Sequence, residues 1–477
     1  MFDRFLEFEF LEESNRNDEG PNMQLRVASK HSISTPPEEL RRQHEDAFRP
    51  KVVPIGPLYM ATLSHEKRTA VNNLFHSLAL SGRVARKKFE KWKKDVISKF
   101  FWQLLQSYTQ EFAPNTEDEL SRILFVDSCV LALPLVCDDQ SIHGGDKFWS
   151  DIVILGNQMP FFIFHEFCQI ILSEQKDKLS SPAMLAKRIL RIFSDKTVDA
   201  SLLLPAHLLE LAYISIDDPE PDHVHYADDA DKELGRAAQR RQLKRCATNL
   251  HAAGIKIIPI QHNRKYFNFG IQFQIQNGTL KIPQLRVIPE TEKRWLNFIA
   301  WEHSCKTMTK GGGVSANLNT RIRRGICKCT WAALFFNDLI CSPSDVQLLR
   351  DKQIIIVQEV FDPVTGQRKK SINRELFAFF RSIKTGLDPA IVHGCKFDKI
   401  VHDLNKYTSP KSSITRYFMQ APVRIYHYYS GPSDKIIRDT HAFFMKGYNF
   451  VLVLVTFLTI VQAVYAVLSY HFPKKSS

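Results

Sequence analysis

A run of uncharged residues near the end of the chain constrains its folding more than any other feature. Twenty consecutive residues at 450–469, FVLVLVTFLTIVQAVYAVLS, contain no charge. At about 1.5 Å per residue, a helix of this length spans about 30 Å, the thickness of a bilayer's hydrocarbon layer. We predict a transmembrane helix over residues 447–471, followed by a short basic tail at 472–477. The alternative is a buried core helix, although soluble helices of this length usually carry a polar stripe.

The start of the chain bears on how such an anchor is inserted. The N-terminal sequence MFDRFLEFEFLEESNRNDEG is acidic and lacks the basic and apolar regions of a secretory signal peptide. We therefore expect a tail-anchored, single-pass protein of the plasma membrane with most of its chain in the cytosol. Basic residues flank the anchor on both sides, Lys446 before it and Lys474 and Lys475 after it, so the positive-inside rule leaves both orientations open.

Most of the chain has a globular composition, with 44% apolar and 24% charged residues. We predict a polar, flexible N-terminal segment at 1–45 and a globular part at 46–446, built as one domain or as two interlocked lobes. An acidic stretch that turns basic predicts an exposed linker at 217–245. The nine cysteines are odd in number and show no framework spacing, which favours reduced thiols and a cytosolic setting.

The formal net charge of +13 raises the question of a nucleic-acid partner. Much of the excess lies in three clusters, at 83–99, 236–245 and 321–328. None of them accompanies a recognition helix, a zinc finger or an aromatic RNA-binding motif. We therefore predict no nucleic-acid partner, and anionic lipid beside the anchor is an equally good binding partner for the positive charge.

Residues 66–112 have the spacing of a basic amphipathic helix. An apolar or aromatic residue recurs at every fourth position, with lysines between: Trp92, Val96, Phe100, Leu104 and Tyr108. The simplest interpretation is a core helix with a solvated basic face. Two alternatives are a membrane-surface scaffold acting through the basic helix at 83–109 and a target for a calmodulin-like partner.

A hairpin is the best-defined local structure in the sequence. Apolar residues alternate with other residues over 267–275, and Asn277-Gly278 is typical of a two-residue type I′ turn. That turn would pair Gln276 with Thr279, Ile275 with Leu280, and Phe273 with Ile282. Pro283 lacks a backbone donor and places the second strand at an edge or ends it. Asn277 also begins a glycosylation sequon, which matters only if the domain is extracellular.

Helical patterns predominate elsewhere, and the predicted fold class is mainly α with a small antiparallel β-hairpin or sheet (α+β), plus one C-terminal transmembrane helix. The sequence lacks a nucleophile elbow, a phosphate-binding loop, a zinc-protease motif and a dinucleotide fingerprint. We predict no catalytic residue, no cofactor and no small-molecule substrate. The alternative is an enzyme of unrecognised class with a site near residues 127–166, using Asp127, His165 and Glu166.

Two groups of residues offer possible metal ligands. One contains His223 and His225 with nearby aspartates, and the other contains Cys327 and Cys329 together with Cys305 and His303. The simpler interpretation of the first group is a solvated acidic loop, and the second group lacks the spacing of zinc sites. We predict no metal site.

Several short motifs occur in a characteristic order. They are VDSC at 126–129, DIVILGNQMPFF at 151–162, LHAAGI at 250–255, GTLKIP at 278–283, NFIAWE at 297–302, and a tyrosine-bearing C-terminal apolar segment. From about Phe48 to Tyr470, this series resembles the plant family called domain of unknown function 247, the UPF0481-type membrane proteins. The chain departs from the family pattern at Gly156, where the family usually has Glu, and at Ser128, where it has Gly. The His-rich stretch usual after Ile55-Gly56-Pro57 is absent.

The resemblance implies a plant membrane protein with no established enzymatic activity, and some grass members are implicated as pollen determinants of self-incompatibility. The motif residues suit structural roles: Asp127, Asn157, Gln158, Pro160, Phe161, Phe162, Gly254, Gly278, Pro283 and Glu302. Our leading hypothesis is a membrane-anchored recognition or signalling protein that binds another protein. We expect partner contacts in the exposed regions 1–45, 217–245 and 307–325.

Overall fold

The computed structural model describes most of the chain between residues 33 and 409. The described residues are 33–59, 65–108, 116–136, 145–173, 181–193, 205–216, 242–261, 267–310, 328–357, 372–387 and 398–409, with Thr456, Thr459 and Gln462. Within these residues, the protein is mainly helical with two small sheets. The predicted predominance of helix is confirmed.

Fifteen α-helices are present in the described part of the chain. The first nine are α1 (Glu38–Gln43), α2 (His65–Ser77), α3 (Gly82–Trp92), α4 (Lys99–Ser107), α5 (Glu117–Val136), α6 (Gly145–Ile152), α7 (Phe161–Ile171), α8 (Pro182–Phe193) and α9 (Leu208–Ile214). The others are α10 (Ala247–Ala252), α11 (Thr291–Lys310), α12 (Lys328–Leu339), α13 (Pro343–Asp351), α14 (Ile372–Lys384) and α15 (Asp398–Tyr407). Short 3₁₀ turns lie at Glu45–Phe48 and Pro57–Tyr59.

The helix predicted over 66–112 is divided into shorter elements. Its first break separates α2 from α3, where Ala79 has a positive φ of 49°. Helices α3 and α4 are joined by a π-helix at Lys93–Ser98, and Phe100 inside α4 departs from helical geometry (φ −113°, ψ 15°).

The π-helix explains how an apolar residue at every fourth position stays on one side. In an α-helix with 3.6 residues per turn, a spacing of four drifts by about 40° at each step. The wider π turn at Lys93–Ser98 reduces this drift where the stripe crosses it. As a result, Trp92, Val96 and Leu104 are all buried, and the apolar side of the helix packs into the core.

Five strands form two sheets in the described residues. The first sheet has the order β1 (Lys256–Ile260), β3 (Thr279–Pro283), β2 (Gln272–Gln274), and the second pairs β4 (Leu285–Val287) with β5 (Ile355–Val357). Only the β2–β3 pair is antiparallel, since β1–β3 and β4–β5 run parallel. The prediction of an antiparallel hairpin or sheet alone is therefore wrong, because the sequence analysis missed both parallel partner strands.

The hairpin exists, but its predicted register is wrong by two residues. Strand β2 pairs Gln272 with Lys281, Phe273 with Leu280, and Gln274 with Thr279, and a four-residue loop joins the strands. A shift of two residues preserves which side chains share a face, so Phe273 still lies with Leu280 and Ile282. Pro283 ends β3, and this strand lies at the centre of its sheet, not at an edge.

The core is one continuous cluster of buried apolar side chains that extends from Leu40 to Leu404. Structured chain begins earlier than the boundary predicted at residue 46. Residues 33–45 include α1, and Ile33 forms a β-bridge with Tyr108. Of the segment predicted to be flexible, residues 33–45 contain α1, and residues 1–32 lie outside the described residues.

The predicted membrane anchor falls almost entirely outside the described residues. Of 447–471, only Thr456, Thr459 and Gln462 are described, and each is helical and exposed. Among the residues that the structure describes, no helix combines the length and the apolar character needed to cross a membrane.

Candidate functional site

The motif residues of the sequence meet around a short extended segment that we call the strap, residues 51–56. Its backbone is bound by side chains that come about 70 to 100 positions later in the chain: Asp127 on α5, Asp151 on α6 and Asn157 in the turn that follows α6. All three side chains are buried. The strap is therefore held by a polar network inside the protein.

Asp151 binds three consecutive backbone amides of the strap with one oxygen. Its Oδ2 accepts hydrogen bonds from the N–H groups of Lys51 (2.9 Å), Val52 (2.5 Å) and Val53 (2.9 Å). Its Oδ1 pairs with the ammonium group of Lys293 on α11. Successive N–H groups that converge on one anion make a strong, charge-assisted arrangement. One buried carboxylate thus joins the strap, α6 and α11.

Asn157 continues the binding of the strap with its side-chain amide. Its Oδ1 accepts a hydrogen bond from the N–H of Ile55 at 2.5 Å, and its Nδ2 donates to the carbonyls of Val53 (2.9 Å) and Asp151 (2.8 Å). Both polar atoms of this buried amide therefore have partners, as burial requires. Asn157 thereby links the strap to the end of α6.

Gln158 and Pro160 connect the same turn to α9. Gln158 Nε2 donates to the carbonyls of Ile152 (2.6 Å) and Ile154 (2.8 Å), and its Oε1 accepts from the N–H of Leu209. Pro160 forms a β-bridge with His207 and lies at the N-cap of α7. The buried rings of Phe161 and Phe162 follow it in the first turn of that helix.

Asp127 binds the end of the strap and a lysine of α2. Its Oδ2 accepts from the N–H of Gly56 at 2.7 Å, and its Oδ1 accepts from Lys67 Nζ at 2.5 Å. Burial raises the pKa of the Asp127 carboxyl, and the Lys67 ammonium and the Gly56 amide oppose that rise. Gly56 has a φ of +75°, and a Cβ there would lie 2.3 Å from the Gln158 carbonyl oxygen, so the position requires glycine.

Glu302 forms a second buried centre, at the N-terminus of α12. Its Oε1 accepts from the Tyr213 hydroxyl (2.7 Å) and the N–H of Cys329 (2.8 Å). Its Oε2 accepts from the N–H (2.8 Å) and the hydroxyl (2.5 Å) of Thr330. Burial raises the pKa of Glu302, and these four hydrogen bonds oppose the rise. A carboxylate carried by α11 therefore caps the first amides of α12.

The remaining motif residues shape the backbone around the first sheet. Gly254 has a φ of +85° and ends α10 just before β1, where the N–H of Ile255 bonds to the carbonyl of Leu250. Gly278 has a φ of +63°, and a Cβ there would lie 2.2 Å from the Tyr407 hydroxyl oxygen. Pro283 is the last residue of β3. Among the described residues, these three positions shape turns and strand ends, and the carboxylates of Asp127, Asp151 and Glu302 are buried.

Four further polar residues complete these networks, and of these only Asn297 belongs to a motif named in the sequence analysis. Lys67 and Lys293 occur in charged helical sequences that resemble ordinary surface positions, so no local signal distinguishes them. Asn297 accepts from the N–H of Leu155 and donates to the carbonyls of Ala47 and Lys293. Asp345 completes a capping box with Ser342, a pattern that the sequence does contain.

Asp345 also binds α10 to α13. Its Oδ1 accepts from the N–H and the hydroxyl of Thr248, and its Oδ2 accepts from the N–H groups of Cys341 and Ser342. The residue is fully buried. Carboxylates in this fold therefore act repeatedly as caps between segments that are distant in sequence.

Two of the three residues proposed for an unfamiliar enzyme, Asp127 and His165, are buried. Asp127 has 0% exposure and is occupied by Lys67 and Gly56. His165 is buried, and its Nδ1 lies 3.0 Å from Glu166 Oε1, its neighbour in the chain. The Asp127 carboxylate is therefore shielded from solvent and bound by groups of its own chain.

The possible metal ligands fall largely outside the described residues. His223, His225 and the aspartates beside them are among the residues that are not described, as is Cys327. Cys329 is buried. Within the described ranges, no group of three or more His, Cys, Asp or Glu side chains has the arrangement of a metal site.

An open polar cleft of about 340 Å³ lies between the start of α10 and the end of α15. It is lined by Lys244, Arg245, Asn249, Asn405, Thr408 and Ser409. Asn405 fixes one side, because its Oδ1 accepts from the N–H of Lys244 and its Nδ2 donates to the carbonyl of Gln242. Its lining thus offers amide, hydroxyl and cationic donors and contains no carboxylate. Lys244 and Arg245 belong to the predicted contact region 217–245.

Comparison with known proteins identifies the family of this chain. Neither the curated proteins nor the solved structures give a match. A family model described as DUF247, plant protein of unknown function, matches residues 33–431 and covers most of the chain. The resemblance carried by the sequence motifs is confirmed, and the chain belongs to the DUF247 family of plant proteins of unknown function.

Proposed function

We propose that this plant protein is a membrane-anchored recognition protein, which acts by binding another protein and performs no chemistry of its own. The observation that carries the proposal is that the carboxylates of its motifs are buried and already bound. Asp127, Asp151 and Glu302 are buried, and each is occupied by backbone amides, lysines or hydroxyls of the same chain. The motif residues thus build a rigid scaffold, and such scaffolds commonly present loops and clefts to partners.

The alternative of an enzyme near residues 127–166 has less support. It requires a polar pocket shared by Asp127, His165 and Glu166, whereas the Asp127 carboxylate has no exposed surface. The raised pKa of Asp127 results chiefly from burial, and its carboxylate forms an ion pair with Lys67. Perturbed titration of this kind is common in structural ion pairs as well as in active sites.

The polar cleft is the part of the described surface that best fits a protein partner. Lys244 and Asn249 are exposed at its rim, and the buried Thr408 lies in its wall. Cations and amide donors without a carboxylate favour a segment that carries carboxylates or free backbone carbonyls. We assign an acidic or carbonyl-presenting segment of the partner to this cleft. Pollen-side recognition, the role implied by the resemblance to grass members, is one form of this function.

Site-specific photo-crosslinking in membranes tests the assignment. A photoreactive amino acid replaces Asn249 at the cleft in the full chain, and the matched control replaces Asn72, an exposed residue on α2. We expect a discrete adduct from position 249 only, and its loss when Lys244→Glu and Arg245→Glu are added. Equal adducts from both positions, or an adduct that persists after both charge reversals, would exclude the cleft as the contact.

The proposed anchor and orientation are tested separately. Full-length protein in sealed membranes should resist alkaline extraction through residues 447–471, and protease added from the cytosolic side should digest the large N-terminal part. Asn277 is an exposed residue in the loop between β2 and β3, so a glycan on it would report the opposite orientation. Protection from protease together with sensitivity to glycosidase would show that the bulk of the chain faces away from the cytosol.

A further inference from the structure

The exposed side of α3 and its continuation is predominantly positive. Arg83, Lys87, Lys91 and Lys94 are all exposed, and their spacing of four and three places them on one helical face. Among the described residues, none of the four forms an ion pair with a carboxylate. We call this set, together with Trp102, the basic face. The nearby Asp95 is an exposed carboxylate on the same element.

Trp102 ends the basic face with a large, exposed aromatic ring. Its exposed fraction is 73%, whereas Trp92, Trp149, Trp295, Trp301 and Trp331 are all buried. The ring lies beside Phe101, with centroids 5.7 Å apart. An indole that combines an apolar body with a polar N–H is the side chain most typical of the membrane interface.

The opposite side of the same helices is already occupied. Ala85, Phe89, Trp92, Val96 and Leu104 are buried in the core. A calmodulin-like protein binds the apolar face of its target helix, and an inserted amphipathic helix buries that face in lipid. Both modes would require α3 to leave the core, so only the basic face is open to a partner.

From these observations we infer that the basic face is a peripheral contact surface for anionic lipid headgroups, with Trp102 at the interface. The surface extends roughly 28 Å along the helices, at about 1.5 Å per residue. Positive charge attracts the anionic leaflet, and each lysine or arginine near it changes membrane partition about fivefold. The inference rests on the proposed membrane anchor, since a nearby bilayer is what the anchor supplies. Contact between the basic face and the lipid, added to the anchor, would hold the domain in one orientation against that bilayer.

Lipid-borne quenchers of fluorescence provide the test. The full chain is reconstituted in vesicles of brominated phosphatidylcholine, with or without phosphatidylserine. No tryptophan occurs in 447–471, and Trp102 is the one exposed tryptophan of the six, all of which are described. Quenching that depends on phosphatidylserine and disappears in Trp102→Phe is the expected result. Equal quenching in Trp102→Phe would overturn the inference.

A charge-reversal variant tests the cations. The triple variant Lys87→Glu, Lys91→Glu, Lys94→Glu should abolish the quenching, because three lost cations reduce partition by about 100-fold. A matched variant reverses three exposed cations on other elements, Lys256, Arg286 and Lys399, and should retain it. Circular dichroism establishes that both variants are folded. Quenching that survives the first triple variant would contradict the inference.

Two further outcomes separate the possible failures. If the chain is extracted by alkaline carbonate but still floats with phosphatidylserine vesicles through Trp102, the proposed anchor fails and the lipid surface stands. If no vesicle quenches Trp102 but poly-glutamate shifts its emission, the surface binds an acidic protein and the lipid assignment is wrong. If neutral vesicles quench Trp102 as strongly as anionic vesicles do, positive charge is not the reason that the basic face binds the bilayer.

Discussion

The strap network and the basic face use charged residues in opposite ways. At the strap, Asp127 and Asp151 are buried, and Lys67 and Lys293 neutralise them. On the basic face, arginine and lysine side chains are exposed and have no carboxylate partner among the described residues. The described residues that carry the family resemblance belong to the strap network, the Glu302 centre and the turns around the first sheet, and none of them lies on the basic face. Family membership therefore identifies the scaffold, whereas function has to be sought on the surface.

The largest expected effect comes from the centre of the strap network. Asp151→Asn leaves the Lys293 ammonium buried without a counter-charge and gives the strap amides a neutral acceptor. Removing one partner of a buried ion pair costs about 3–5 kcal/mol of unfolding free energy. Urea denaturation of the full chain in mild detergent, monitored by tryptophan fluorescence, measures this loss of unfolding free energy.

The matched control for Asp151 is Asp118→Asn. Asp118 also pairs with a lysine, Lys93, but its side chain is 50% exposed. An exposed ion pair contributes about 0–1 kcal/mol, so the control should remain near the wild type. Equal losses in the two variants would contradict the distinction between the buried network and the surface.

The next largest effect is expected for Glu302→Gln. Each carboxylate oxygen of Glu302 accepts one backbone N–H, from Cys329 or from Thr330. Whichever way the glutamine amide is oriented, its NH₂ group faces one of these donors, and one buried N–H loses its acceptor. The cost should be about 1–3 kcal/mol. Thermal unfolding measures this loss of stability, and the matched control is Glu119→Gln, which changes an exposed residue on α5. An unchanged melting temperature in Glu302→Gln would refute the capping role.

The dependence of stability on pH should also distinguish Glu302. Because its folded-state pKa is raised above 4.5, the folded protein retains a proton that the unfolded chain has released. The free energy of unfolding therefore falls as pH rises from 4.5 through the raised value, by up to about 1.4 kcal/mol per pH unit for this group. Denaturation curves at several pH values should show a shallower decline in Glu302→Gln than in the wild type. A steeper decline would reverse the assigned sign.

The smallest change in stability is expected at the basic face. The variant Lys87→Glu, Lys91→Glu, Lys94→Glu alters exposed side chains only, and repulsion among the three positions stays similar because all three change sign together. We expect its unfolding free energy to stay within about 1 kcal/mol of the wild type. A loss similar to that of Asp151→Asn would show that the basic face is part of the scaffold, and the two regions would no longer differ.

Local patterns indicated the predominance of helix, and they failed where partners are distant in sequence. Ser342 and Pro343 are typical of a helix start, and α13 begins there because capping depends on adjacent residues. The β1–β3 pairing is parallel and joins residues 256 and 279, which no alternation pattern reveals. The hairpin register changed because a four-residue loop replaces the two-residue turn that Asn277-Gly278 favours.

The candidate site was only partly predictable for the same reason. The motifs identified Asp127, Asn157 and Glu302 as shared residues, but their partners lie far away in the chain. Lys67 is 60 residues from Asp127, and Lys293 is 142 residues from Asp151. Nothing in the residues around either lysine indicates burial. The cleft joins residues near 244 to residues near 408, so it too exists only after folding.

The strap is synthesised long before the side chains that bind it, and this delay affects how the new chain folds. The amide of Lys51 leaves the ribosome 100 residues before its acceptor on Asp151, and Lys293 follows 142 residues after that. At roughly 5–20 residues per second, the nascent strap waits about 5–20 s for its acceptor and longer for the neutralising lysine. During that interval Val53 and Ile55, which are buried in the folded protein, have no core to enter. The N-terminal part of each new chain is thus a natural client for chaperones until more than half of the protein has been translated.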